Sequence, residues 1–102
     1  MSKIEKIELL FGMDIVPVFA ENNAYIEIIQ GIREGYKELG VTFPIVNLRD
    51  ENSLSARQYQ VVINGELAAD ETLSQIADGT MMEILTKLSY AFCDYYNAKD
   101  EE

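Results

Sequence analysis

Apolar and polar residues alternate over residues 4–11, with Ile7, Leu9 and Phe11 on one side and Lys6 and Glu8 on the other. A period of two predicts a half-buried strand. Leu10 interrupts the alternation, so the far end of that strand is expected to be covered on both faces. Gly12 ends it. Residues 13–19 then run apolar around Pro17 and are read as a loop, which either packs under the next helix or presents an exposed patch. Beyond it, Tyr25, Ile28, Ile29, Ile32, Tyr36 and Leu39 recur at helical spacing and form one stripe facing a sheet. Asn22 or Asn23 suits the N-cap, and Gly40 supplies a left-handed stop. Gly31 and Gly35 lie inside the helix, each costing about 1 kcal/mol relative to alanine. The expected reason is a close approach of helix to sheet.

Residues 41–48 predict a second, buried strand with Pro44 near its start, since proline cannot donate to a ladder. Arg49, Asp50, Glu51, Asn52 and Ser53 follow as a polar corner, expected to be held by an Arg–carboxylate contact. Residues 59–63 are a third strand, central because Val61, Val62 and Ile63 are consecutive. Asn64-Gly65 is a hairpin signal, as both residues tolerate positive φ. Residues 66–69 return as a short edge strand, and residues 70–79 connect, with one helical turn around Leu73 and Ile76. Thr80 with Glu83 matches a capping box. Met81, Ile84, Leu85, Leu88, Ala91, Phe92 and Tyr95 make the stripe of a last helix ending near Asn97. The element order is β-α-β-β-β-α: an α/β fold with a mixed four-stranded sheet and two covering helices, thioredoxin-like in arrangement. Residues 1–97 form a single domain in this reading, and residues 98–102 an acidic tail.

At 102 residues the chain suffices for one core without staples. Its 18 acidic and 8 basic side chains give a net charge of −10, which repels nucleic acid and anionic membrane surfaces. The N-terminus is charged where a signal peptide needs an apolar run, and no stretch is long and apolar enough to span a membrane. The expected compartment is the cytoplasm.

Catalytic chemistry finds little support. Thioredoxin-type redox work needs two cysteines opening a helix, whereas Cys93 is the one cysteine and lies late in the last helix. There is no histidine to serve as a metal ligand or as the base of a serine nucleophile. No phosphate-cradling glycine loop follows a strand. The expectation is no enzyme, no cofactor and no metal. Exposed tyrosines are frequent interface anchors, and Tyr90 or Tyr96 is left off the core stripe of the last helix.

Several motifs resemble one family. Leu9-Leu10-Phe11-Gly12-Met13 with Ile15-Val16-Pro17-Val18 is similar to the Leu-Gly-Tyr-Gly-Leu-Ile-Pro-Leu segment of the flagellar and type III secretion export-gate (FHIPEP) proteins. Gly31-Ile32-Arg33, Glu38-Leu39-Gly40-Val41 and the run from Phe43 to Asn52 follow in register with that family's Gly-Ile-Arg, Glu-Leu-Gly and Leu-Pro-Pro-Val-Arg-Ile-Arg-Asp-Asn. Leu54 and the run from Tyr59 to Gly65 resemble its hairpin, and Thr86-Lys87-Leu88-Ser89 a Thr-His-Leu-Ser in a later helix. The resemblance implies the first, thioredoxin-like subdomain of the family's cytosolic region. That region is not an enzyme; it docks export substrates, their chaperones and other secretion components. Where the family holds an inserted second subdomain, this sequence has only residues 70–79. The family's docking cleft lies between those two subdomains beside a threonine, to which Thr86 corresponds.

The leading expectation is a protein-interaction module, with Met13, Asp14, Thr86, Tyr90 and Tyr96 as candidate partner contacts. The alternative is a small-molecule site or carboxylate enzyme in a cleft near residues 13–19, using Asp14. Self-association through the edge strand or the aromatic end of the last helix is a third reading.

Overall fold

The structure, a computed structural model, describes residues 4–100. Strand β1 (Ile7–Phe11) is the hub of a four-stranded sheet ordered β2-β1-β3-β4. It pairs in parallel with β2 (Val46–Asp50) and antiparallel with β3 (Gln58–Ile63), while β4 (Glu66–Thr72) pairs antiparallel with β3. Helices α2 (Tyr25–Glu38) and α3 (Thr80–Asp100) pack against each other over the sheet. The mixed, thioredoxin-like α/β class is the one the periodicities predict. A third helix, α1 (Val16–Ala20), replaces the loop expected at residues 13–19. Pro17 explains it, because proline in the first helical turn presets φ and lacks only an amide that would go unpaired anyway.

Register places Ile7, Leu9 and Phe11 opposite Ile63, Val61 and Tyr59, and all six are buried. This face meets Ile84, Leu85, Leu88 and Phe92 of α3, with Ile15 and Phe19 from α1 and its approach. Burial, with Glu71 and Glu83 adding, pushes the Tyr59 phenol up to about 12, so it stays neutral in ordinary buffers. Leu10, on the opposite face between Arg49 and Gln60, is shielded too. Asn64 (φ 51) and Gly65 (φ 81) both adopt positive φ in the β3–β4 hairpin. The Asn64 side chain also accepts from the amides of Glu5 and Lys6 at 2.9 and 3.1 Å, tying the hairpin to the entry of β1.

Several boundaries differ from the sequence reading. The strand expected over residues 41–48 starts only at Val46, and it is a half-exposed edge rather than buried. Arg33 explains the late start: its Nε donates to the Phe43 carbonyl at 3.1 Å and Nη2 to the Pro44 carbonyl at 3.2 Å. Those carbonyls are thereby occupied before the ladder begins. Arg49 and Asp50, expected in a corner, are the end of β2. Arg49 does reach carboxylates, Glu8 at 3.8 Å and Glu51 at 3.9 Å, but its side chain is 58% exposed. The arginine that holds this region is Arg33. We expect Arg33→Ala to lower stability by about 1.5–3 kcal/mol, the range for hydrogen bonds to charged groups. Arg49→Ala should cost less than about 1 kcal/mol, as exposed ion pairs do. Urea unfolding of the two variants side by side checks that order.

The capping residues also shift. Asn22 accepts from the Ala24 amide in a local turn, and the cap of α2 is Ala24, without a side-chain bond. The Thr80 hydroxyl accepts backwards from the Ala77 amide at 2.8 Å rather than closing a box with Glu83. Strand β4 runs to Thr72, three residues beyond its expected end, past an irregularity between Val61 and Val62, and no helical turn forms around Leu73 and Ile76. Helix α3 continues past Asn97 to Asp100, so the expected tail shares its backbone with the helix, and Glu101 and Glu102 lie outside the described residues, as do Met1, Ser2 and Lys3 of the charged N-terminus.

Candidate functional site

An apolar groove runs along the outer seam of the two helices. Residues at i, i+4, i+7 and i+11 share one helical face. On α2 that face carries Ile28, Ile32 and Gly35, with Leu39 at the C-cap, and on α3 it carries Met82, Thr86, Ser89 and Cys93. The seam is closed below by the Tyr36 hydroxyl, which donates to the Ser89 carbonyl at 3.0 Å, and by Tyr36 packed edge-on to Phe92 at 4.9 Å. Burial pushes the Tyr36 phenol above its ordinary range, with Cys93 and Asp94 adding and the Ser89 bond opposing.

Above that floor the groove has two sections, of about 440 Å³ around Gly31, Gly35 and Leu39 and about 200 Å³ around Ile28, Met82 and Tyr90. Gly31 and Gly35 face outward with nothing within 4 Å of where a Cβ would sit, so the close helix–sheet approach expected there does not exist. Their missing side chains leave the groove open. Leu39, expected in the core stripe, is 75% exposed at its end; Met82 is 53% and Tyr90 65% exposed.

Of the candidate contacts, Thr86 and Tyr90 come together in this groove. Tyr96 sits further along α3, half-buried and stacked on Phe92 at 6.1 Å. Met13 and Asp14 lie on the exposed turn before α1, where the Asp14 amide donates to the Ala56 carbonyl at 2.9 Å. Neither of them lines the groove. Ile15 and Phe19 carry the apolar character of this stretch into the core, Phe19 stacked on Phe11 at 5.2 Å and Ile15 fully buried, while Met13 stays exposed. Sequence reasoning missed Met82, Leu39 and the two helical glycines as surface features; helical glycine reads as close packing, and nothing in the sequence marks these two as open. The groove offers hydroxyls, a thioether and a half-buried thiol. Among the described residues no group of three or more His, Cys, Asp or Glu could hold a metal ion. Nor, among the described residues, is any helix long and apolar enough to cross a membrane.

Strand order and senses define a mixed, thioredoxin-like α/β domain. No family model and no curated protein sequence matches the chain. Solved structures do share its fold. The Chlamydia pneumoniae CdsV protein aligns over 81% of this chain and 30% of its own, with a TM-score of 0.61 and 16% identity. CdsV in its complex with CdsO aligns over 72% of this chain and 23% of its own, with a TM-score of 0.58 and 18% identity. The Shigella flexneri MxiA protein is 25% identical over 72% of this chain and 23% of its own, but its TM-score of 0.46 is too low to support a common fold. CdsV is an export-gate protein of the FHIPEP family. The fold implied by the motif resemblance is therefore the fold observed, and the chain spans less than a third of the CdsV chains it matches.

Proposed function

We propose that this chain is a non-catalytic protein-interaction domain of the export-gate type, working in the bacterial cytoplasm beside a protein-secretion apparatus. The observation that carries the reading is the fold shared with CdsV over 81% of the chain, beside the motifs that run in register with the export-gate family. The open groove supports it further. Burying exposed apolar surface favours association by about 25 cal/mol per Å² removed from water, and Leu39, Met82 and Tyr90 hold such surface ready. CdsV itself is seen in complex with a second protein, CdsO. By analogy the partners of this chain are secretion components, chaperones or export substrates. Thr86 and Tyr90 are its principal contacts, with Met13, Asp14 and Tyr96 forming a lesser set.

The test is affinity purification of the tagged chain from its native host, scored for proteins of a secretion apparatus. We expect at least one to co-purify in stoichiometric amount. Recovery of the chain free of any such component, from cells in which the apparatus is assembled, overturns the reading.

A further inference from the structure

We propose that the groove between α2 and α3 receives an amphipathic helix whose apolar stripe is flanked by lysines and arginines. This rests on the protein-docking reading and names the partner's chemistry. The argument comes from what stands beside the groove. One step outward on α2, the stripe at i, i+4, i+7 and i+11 reads Glu27, Gly31, Glu34 and Glu38. The matching stripe on α3 reads Glu83, Lys87, Tyr90 and Asp94. All five carboxylates are exposed. The one cation among these positions, Lys87, is drawn to Glu71 of β4 at 3.9 Å. An apolar trough is thus walled on both sides by negative charge.

Shape and charge together select the occupant. A trough between two helices, bare of side chains at Gly31 and Gly35 on its α2 side, admits a third helix as a ridge enters a groove, because the open backbone there permits close approach. Acidic walls favour basic flanks on that helix and speed its encounter. A second copy of this chain would bring five like charges against five and is disfavoured. An anionic lipid surface is repelled for the same reason.

The probe is a synthetic peptide of about 14 residues, four helical turns, with leucines at i, i+3, i+4 and i+7 and lysines or arginines along both flanks. Its control keeps the leucines and carries glutamates instead. Fluorescence anisotropy with the full chain should show the basic peptide binding at least tenfold more tightly than the acidic one, the difference shrinking as salt rises. Gly35→Leu fills the trough from an exposed helical position. It should weaken binding at least tenfold while leaving the unfolding midpoint unchanged or higher. Glu34→Lys with Glu38→Lys should erase most of the preference for the basic peptide. Equal binding of both peptides, no binding of either, or full affinity in a folded Gly35→Leu chain overturns the proposal. The broader reading is separable: a secretion component that co-purifies equally well with Gly35→Leu leaves the docking function standing and removes the groove. Basic-peptide binding without any such component does the reverse.

Discussion

Replacing Gly12 with alanine is expected to destabilise the domain by at least about 3 kcal/mol, the upper end of overpacking costs. The added Cβ would overlap the Ser55 carbonyl oxygen and lie 2.8 Å from that of Ala56. Neither can withdraw easily. The Ser55 carbonyl accepts from the Gln58 amide at 3.0 Å, and the Ser55 amide donates to the Gln58 side chain at 2.9 Å. Gly12 is itself anchored, its amide donating to the Gln58 carbonyl at 2.9 Å. The turn after β1 is therefore pressed against a loop pinned at both ends. For a domain of this size the thermal midpoint should fall by roughly 12 °C or more. A shift of only a degree or two would show that the loop yields. The same substitution at Gly35 provides the contrast. Nothing stands near its Cβ, and alanine should stabilise α2 by up to about 1 kcal/mol.

The second large effect is expected at Phe92. Its ring is fully buried and meets Tyr36 at 4.9 Å, Phe43 at 4.7 Å and Tyr96 at 6.1 Å. Tyr36 and Phe43 also stack on each other at 5.6 Å. These rings join α2, the approach to β2 and α3, elements that the sheet does not connect directly. Phe92→Ala should cost about 3–5 kcal/mol, because aromatic truncation leaves a cavity that rigid neighbours fill poorly. Phe92→Leu, which retains most of the volume, should recover more than half of that loss in urea denaturation. Equal loss in both variants would mean that ring geometry rather than volume holds the cluster.

Much of this architecture is legible in the sequence, and the reasons are local. β1 declares itself by alternation, β3 by the consecutive Val61, Val62 and Ile63, the hairpin by Asn64-Gly65, and the core face of α3 by its spacing. What the sequence hides depends on contacts distant along the chain. Arg33 stands in the sequence only as part of the Gly-Ile-Arg motif, and its partners, the carbonyls of Phe43 and Pro44, lie ten and eleven residues away. Gly12 reads as a strand stop until the loop at Ser55 is seen against it. Gly31 and Gly35 mislead in the opposite sense, since helical glycine signals close packing and here marks open surface. The groove follows the same logic. Thr86 and Tyr90, four residues apart on α3, share a wall by helical spacing, and only the approach of α2 supplies the wall opposite.

The helix that closes the core lies C-terminal to every strand it covers. During synthesis, Ile7, Leu9, Val61 and Ile63 are therefore made, and free to pair, before Ile84, Leu88 and Phe92 exist to shield them. Pairing distant strands is slow in any case, so the nascent sheet passes through an interval with a bare apolar face. Apolar surface exposed in such an interval is the kind that aggregates unless it is shielded. It also means that a ribosome stalled before Thr80 leaves a sticky fragment rather than a smaller folded domain.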